Sequence, residues 1–262
     1  PIALALSRKA NRPVKVVMTR DEVFRATGPT CSTSMDIKIG AKRDGTITAA
    51  QSILRYQNGA FPATWAMMGA MTSFACYDLK NCKSVGYDVL CNRPKVAAYR
   101  APSAPMAAFG VESVVDMVAA EIGMDPVEFR IKNAAKEGTR ASYGPTYGPI
   151  GIGPTLEAVK NHPHMKAPLG PNQGRGMACG FWFNFGGQTC VDINIGTDGT
   201  INLTLGTVDV GGARASMSLI CAEELGIPYE QVKANVADTS TLGHNDTTEG
   251  SRGTFSSGMA TI

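Results

Sequence analysis

Several features that would assign this sequence to a class of protein at once are missing. It contains no apolar run of about 18 residues, the length that a membrane-spanning helix needs. Its 25 basic and 22 acidic residues are spread along the chain and give a formal net charge of only +3. No basic block is present, so the sequence favours neither a membrane nor a nucleic acid as partner.

Metal-ligating and nucleophilic patterns are also scarce. Of the three histidines, His162 and His164 flank a proline that prevents them from sharing a helical face, and His244 stands apart. We therefore predict that no metal is bound directly by side chains. No G-x-S-x-G motif supplies a serine nucleophile. The seven cysteines are odd in number and form no C-x-x-C pair, which indicates reduced thiols and a cytoplasmic location.

What is present is typical of a globular protein with two domains. Hydrophobic residues occupy 44% of the 262 positions. Glycine and proline are dense over 138–174, which we interpret as a linker between a first domain at 1–137 and a second at 175–262. The mixture of patterns predicts an α+β fold with helices packed on antiparallel sheets. Because the chain opens without methionine and ends in an apparent helix start, we expect an internal piece of a longer polypeptide or one product of a split gene.

A β-hairpin pattern occurs twice. "MDIKIGAKRDGTI" at 35–47 and "VDINIGTDGTI" at 191–201 both alternate apolar and polar residues around an Asp-Gly turn. Two copies are too few for a solenoid. They indicate either two domains with related hairpins or a coincidence of a common turn, and the sequence leaves both open. We also predict strands from Val14 ("VKVVMT") and over 177–185 ("MACGFWFNF").

Helix signals are clearest in the first half of the chain. We predict a short helix over 2–9 and a helical turn after Thr19, where Glu22 completes a capping box. A longer helix follows Pro105, with Gly123 suited to its end and Asp125 to the start of the next helix. Its core face is predicted from the apolar spacing, with the glutamate at 112 off that face: Met106, Phe109, Val114, Met117, Val118 and Ile122.

Two glycine-rich segments could bind a polar ligand. "DVGGARASM" places Gly211 and Gly212 directly before a predicted helix, where exposed amides suit anionic groups. It lacks both the P-loop lysine and the G-x-G-x-x-G order, so neither ATP nor NAD follows. "GSRGTFSSGMA" near the end of the chain offers clustered hydroxyl groups. Either segment could equally be a simple strand-to-helix turn.

An arginine stands in an unusual place in "KVAAYRAPSAPMAAFGVES". Arg100 precedes a predicted helix start, so its guanidinium and the helix amides would concentrate positive charge at one point. An exposed or ion-paired arginine is the ordinary interpretation. Pro102 and Pro105 stiffen the surrounding backbone, which favours a functional role.

At this stretch the sequence resembles the molybdopterin-binding subunit of the xanthine dehydrogenase and aldehyde oxidase family. "ALSRKANRPVKVVMTRDEVF", "DVGGARASMSLICAEELGIPYEQV" and "GSRGTFSSGMA" resemble other blocks of that subunit in the same order. The resemblance implies two elongated mixed α/β domains that bind molybdopterin, in bacteria usually as the cytosine dinucleotide, with its molybdenum. It also implies [2Fe–2S] clusters and FAD in partner domains or subunits, and a hetero-oligomer acting on a small-molecule substrate.

The resemblance further implies roles for individual residues. Arg100 corresponds to the arginine beside the metal and is the implied catalytic residue. The implied cofactor-binding residues are Tyr99, Ala101, Gly211, Gly212, Ala213, Arg214, Thr254, Ser256 and Ser257. A substrate pocket would include Pro102, with Trp182, Phe183 and Phe185 as further candidates that ordinary core packing could equally explain.

Departures from the family pattern narrow the implied chemistry. Ala101 stands where carbon monoxide dehydrogenases have a cysteine, and Pro102 stands where xanthine oxidases have an aromatic residue for stacking on a purine. Both argue for a different substrate, an aldehyde or an electron-poor aromatic carbon. Where many relatives have Gly-Gln-Gly, this chain has Gly211-Gly212-Ala213, so a side-chain amide contact to the pterin is missing and backbone contacts must suffice. The family's apical glycine-rich loop and its glutamate base are expected outside this chain, so a scaffold half of a split subunit is the competing interpretation.

Overall fold

Each of the two predicted hairpins forms part of its own sheet. The computed structural model describes all residues from 1 to 262 and divides the chain into one unit at Pro1–Trp182 and another at Phe183–Ile262. The elements of the first unit are α1 (Ile2–Ala10), α2 (Arg20–Ala26), β1 (Thr33–Ala41), β2 (Ile47–Gly59), α3 (Trp65–Thr72), β3 (Cys82–Leu90), α4 (Ala104–Glu121), α5 (Pro126–Asn133), α6 (Ile152–Asn161) and α7 (Pro163–Lys166). Those of the second are β4 (Val191–Ile195), β5 (Ile201–Leu205), α8 (Ala213–Leu225), β6 (Val232–Val236) and α9 (Arg252–Thr261).

The two hairpin turns are built in the same way. In the first, Gly45 has a φ of 84° and the Asp44 carboxylate accepts a hydrogen bond from the Thr46 amide at 3.0 Å. In the second, Gly199 has a φ of 80° and Asp198 accepts from the Thr200 amide, also at 3.0 Å. Both hairpins are therefore confirmed, and each turn uses aspartate to satisfy the backbone and glycine to adopt the left-handed conformation.

The two units also share a strand order. β1 pairs antiparallel with β2 and β3 pairs parallel with β2, while β4, β5 and β6 repeat these directions. A helix lies in each crossover, α3 before β3 and α8 before β6. The α+β class is confirmed, and the sheets are mixed where antiparallel sheets were predicted, because a helical crossover returns the third strand in the direction of the second.

The core of the first unit lies between the sheet and α4. The buried positions of α4 are mostly small and recur every three or four residues: Ala104, Ala107, Val111, Glu112, Val115 and Ala119. Two members of the predicted face, Phe109 and Met117, are 75% and 68% exposed. That prediction was wrong for these two because small side chains let α4 approach the sheet closely, and the larger ones point away from it.

Two predicted strands do not form. Residues 14–19 and 177–185 are without regular secondary structure. A β-branched run becomes a strand only when a neighbouring strand accepts its backbone hydrogen bonds, and the sheet of each unit is completed by other segments. The capping box at Thr19 and the N-cap at Asp125 are both present.

The second unit packs α8 on its sheet. Leu203 and Leu205 of β5 are fully buried and meet Met217 and Cys221 of α8. None of the helices in either unit combines the length and the apolar character needed to cross a bilayer. All seven cysteines are free thiols.

Candidate functional site

The loop before α4 has an unusual backbone. Ala101 has a φ of 52° and Ser103 a φ of 71°, although neither is a glycine. Pro102 lies between them and is half-buried. The Ser103 carbonyl accepts a hydrogen bond from the Tyr56 hydroxyl at 3.0 Å. Left-handed conformations cost energy for residues with a Cβ, so surrounding contacts hold this loop in a strained shape.

The loop presents its charge outward. Arg100 and Tyr99 are exposed, and Tyr99 keeps 65% of its surface accessible. No hydrogen bond or ion pair within the chain involves the Arg100 guanidinium, whereas the Ser103 hydroxyl is buried and has no hydrogen-bond partner. The loop therefore combines an accessible cation with a buried hydroxyl group at the start of an 18-residue helix.

The start of α8 is a glycine pair, as predicted. Gly211 and Gly212 have φ values of 65° and 80°, and both are exposed with open space where a Cβ would stand. Ala213 is buried at the first helical position. The Arg214 guanidinium is paired with Asp209 at 3.1 Å, and Asp209 also accepts from the Arg214 amide at 3.1 Å. The glycine amides are thus accessible, while Arg214 is committed to the turn itself.

The hydroxyl cluster near the end of the chain lies on α9. Thr254 is exposed, whereas Ser256 and Ser257 are 7% and 1% exposed. The Ser256 hydroxyl is buried and has no partner. An unsatisfied buried hydroxyl is unusual, and a bound group with polar atoms is one way to satisfy it.

The aromatic candidates are divided between the two units. Phe183 and Phe185 are stacked in the second unit, with ring centroids 5.6 Å apart and planes 19° from parallel. Trp182 is half-buried and belongs to the first unit, next to a group formed by Phe181, Tyr143 and Tyr147. The stacking of Phe183 on Phe185 is consistent with local packing, and a pocket role stays a prediction.

A buried ionic network in the first unit was missed from the sequence. Arg130 on α5 is completely buried, and its guanidinium donates to Glu112 and Asp116 on α4 at 2.8 Å each. Glu112 also accepts from the Tyr77 hydroxyl and, at 2.8 Å, from the Cys179 amide. Burial, with the Glu112 carboxylate, raises the pKa of Tyr77 above its ordinary value. Placing Glu112 off the buried face was wrong because its charge is neutralised inside the core.

The same network bears on the predicted domain boundary. The Cys179 amide donates a hydrogen bond to the Glu112 carboxylate, and residues 175–182 belong to the first unit, which ends at Trp182. The predicted second domain began at residue 175. Hydrogen bonds from Arg175 to the Met165 and Ala167 carbonyls, at 2.9 and 2.6 Å, fix this segment within the first unit.

Two family models match the chain and together cover most of it. Both are described as a molybdopterin cofactor-binding domain, one matching residues 1–134 and the other residues 166–262.

The chain belongs to the molybdopterin cofactor-binding family.

Among the relatives of this family member, the xanthine dehydrogenase molybdenum-binding subunit of Escherichia coli O157:H7 is 30% identical over 255 residues, which cover 89% of this chain and 34% of that protein. The aldehyde oxidoreductase of Megalodesulfovibrio gigas is 33% identical over 130 residues, covering 48% of this chain and 14% of that protein. The chain thus spans about a third or less of these relatives. The resemblance recognised in the sequence is confirmed.

A solved structure shows the same fold. The aldehyde oxidoreductase from Desulfovibrio gigas superposes with a TM-score of 0.79 at 23% identity, over 98% of this chain and 30% of that one. At this identity the likeness concerns the fold. It confirms that both units adopt the architecture of molybdopterin-binding domains.

The residues present suit a pterin cofactor. Buried hydroxyls without partners occur at Ser103, Ser142 and Ser256. In the second unit, Ser256 and the accessible amides at Gly211 and Gly212 are of the polar kind that a pterin requires, and in the first unit Ser103 offers a similar group. The described residues bring together no three histidine, cysteine or acidic side chains around a common point. Molybdopterin carries its own molybdenum, so the cofactor itself supplies the metal in this family.

Proposed function

We propose that this chain is part of the molybdopterin-binding subunit of a molybdenum hydroxylase. The observation that carries the proposal is the match of two cofactor-binding domain models in one chain, with a cationic loop at the start of α4. The reaction proposed is the oxidation of an aldehyde or an electron-poor aromatic or heteroaromatic carbon with oxygen derived from water. When bound, the cofactor supplies the redox chemistry, and the chain supplies binding and electrostatic stabilisation.

Arg100 is the proposed catalytic residue. Its guanidinium is exposed and unpaired, so it can donate two parallel hydrogen bonds to a carboxylate of the substrate or to negative charge that develops on a reacting oxygen. Pro102 beside it presents a small, rigid apolar surface, and Trp182, Phe183 and Phe185 are proposed as further substrate-contacting residues. Ala101 has no thiol for a second metal, which argues against carbon monoxide.

The proposed cofactor contacts come from three segments. Tyr99 and Ala101 belong to the loop, and a second set stands at the start of α8: Gly211, Gly212, Ala213 and Arg214. Thr254, Ser256 and Ser257 are the third set. Since both the guanidinium and the amide of Arg214 are bonded to Asp209, its proposed contribution is to hold the turn that presents the two glycines.

The remaining partners are proposed from the family. We propose a cytosine dinucleotide form of molybdopterin, [2Fe–2S] and FAD in partner domains or subunits as electron acceptors, and a cytoplasmic hetero-oligomer that includes the rest of the molybdenum subunit. A scaffold half of a split subunit is the second candidate. Residues for the chemistry would then lie in another chain.

Metal analysis of the purified assembly separates these two candidates. The enzyme predicts about one molybdenum per complex, lost together with activity on cyanide treatment. A folded complex without molybdenum or pterin would overturn the proposal. A screen of aldehydes against N-heterocycles with an artificial electron acceptor then defines the substrate class.

A further inference from the structure

A buried arginine holds together the region in front of α9. Arg252 is the first residue of that helix and is only 4% exposed. Its guanidinium donates to four main-chain carbonyls and to no carboxylate: Gly186, Gln188, Asp246 (2.9 Å) and Thr247 (3.5 Å). A single side chain therefore ties two segments far apart in sequence to the beginning of the helix.

Other contacts join the same two segments. The Asp246 amide donates to the Gln188 carbonyl at 3.0 Å, and the Asp246 carboxylate accepts from the Gln188 amide at 2.6 Å. The Phe185 amide donates to the Gly250 carbonyl at 3.1 Å. These bonds leave Arg252 at the centre of a closed set of main-chain contacts.

Two glycines show how closely the arginine is enclosed. A Cβ at Gly187, which has a φ of 98°, would lie 2.8 Å from both the Arg252 Nε and an Asp246 carboxylate oxygen. A Cβ at Gly250 would lie 1.9 Å from the Phe185 ring. A larger residue at either position would have to displace these side chains and would be strained at a positive φ, so both positions favour glycine.

Stability alone does not account for this placement. A cation at the N-terminus of a helix is electrostatically unfavourable, and burying it adds a desolvation cost. Neutral carbonyls satisfy its N–H groups, while the nearby Asp246 carboxylate attracts its charge without a direct hydrogen bond. The result is a rigid, positively charged helix start, three residues from Phe255 and directly before the hydroxyls of α9.

We propose that Arg252 is a positioning residue for the cofactor. It fixes the first turn of α9 so that Thr254, Ser256 and Ser257 hold the orientation in which they bind the pterin. The inference rests on the proposed function. Lysine cannot replace the arginine, since one ammonium group cannot reach carbonyls of both segments at once.

The test uses the complete assembly carrying Arg252→Lys, with Arg175→Lys as the matched control. Arg175 also donates to two main-chain carbonyls, but in the first unit. Pterin content per folded complex is measured at intervals during incubation, by fluorescence after oxidative release, and amide hydrogen exchange is followed over 184–188 and 245–251. We expect at least a tenfold faster loss of pterin and faster exchange confined to these segments in Arg252→Lys, and neither change in Arg175→Lys.

The outcomes separate the two proposals. Unmodified assembly without pterin overturns the proposed function itself. Unmodified assembly with pterin, together with full retention in Arg252→Lys despite faster exchange, overturns the positioning role alone. If Arg252→Lys does not assemble, Asp246→Asn leaves the carbonyl contacts of Arg252 in place but weakens the carboxylate bond to the Gln188 amide that joins the same two segments. It is expected to show a smaller loss of pterin in the same direction, with faster amide exchange over 184–188. Unchanged pterin retention in that variant would also refute the positioning role.

Discussion

The buried pair of Arg130 and Glu112 gives the sharpest prediction about stability. Arg130→Met removes a completely buried guanidinium but keeps most of its volume, and it leaves the Glu112 carboxylate in the core without its cation. Breaking such a pair from one side costs about 3–5 kcal/mol, because an uncompensated charge stays buried. Asp116 loses a partner as well, but it is half-exposed and water can replace that contact.

Denaturation followed by tryptophan fluorescence measures this loss. Trp65 and Trp182 are the two tryptophans, and both lie in the first unit, so the signal reports that unit. With a urea dependence of about 1–3 kcal/mol per M, the midpoint is expected to fall by roughly 1–5 M. Adding Glu112→Gln to Arg130→Met should recover at least about 1 kcal/mol, because the double variant buries no unpaired carboxylate.

An exposed pair serves as the control. Asp21 and Arg25 form an i,i+4 pair at 3.0 Å whose side chains are 68% and 78% exposed. Arg25→Met is expected to cost less than about 0.5 kcal/mol, because water already solvates both charges. A loss below about 1 kcal/mol in Arg130→Met, or no recovery in the double variant, would refute the reasoning.

Three further predictions concern the loop before α4 and the buried phenols. Arg100→Ala should lower turnover of the intact enzyme on the order of a hundredfold. Its stability should not change, since the exposed Arg100 side chain makes no internal hydrogen bond or ion pair. Arg100→Lys should restore little of the lost turnover, and unchanged kinetics in both variants would exclude a catalytic role. Ala101→Gly should stabilise the chain by about 0.5–1 kcal/mol in urea, because glycine relieves a φ of 52°, and a loss of stability would show that the loop is not strained. Burial and the Glu112 carboxylate raise the pKa of Tyr77 above its ordinary value of about 10. The stability that the neutral Tyr77 phenol contributes is therefore complete below about pH 10, and it declines by about 1.4 kcal/mol per pH unit above that, because the unfolded state ionises first. Tyr77→Phe should flatten this alkaline slope in a pH series of urea midpoints.

Local signals in the sequence were sufficient wherever the structure depends on neighbouring residues. The capping box at Thr19, the N-cap at Asp125 and both Asp-Gly turns formed as predicted. In each case a side chain satisfies a backbone group two or three positions away, so no distant contact is needed. The glycine pair before α8 belongs to the same class.

Local sequence patterns gave wrong or missing predictions where the secondary structure of a segment depends on pairing with a segment far along the chain. The strand β3 was missed, although it pairs with β2 over its whole length. The run from Val14 has strong strand propensity and forms none, because no neighbouring strand receives it. A parallel strand needs a long crossover, and periodicity alone does not indicate which segments will meet.

By itself the sequence determined the family, the paired hairpins and the helix starts, since all of these are carried by contiguous residues, while the cofactor-binding segments stay a prediction. The tertiary structure alone decided that Glu112 faces the core, that residues 175–182 join the first unit, and that Arg252 is buried among carbonyls. From a local sequence pattern, a charged residue is predicted to be exposed to solvent. Only the fold brings together the distant groups that make its burial stable.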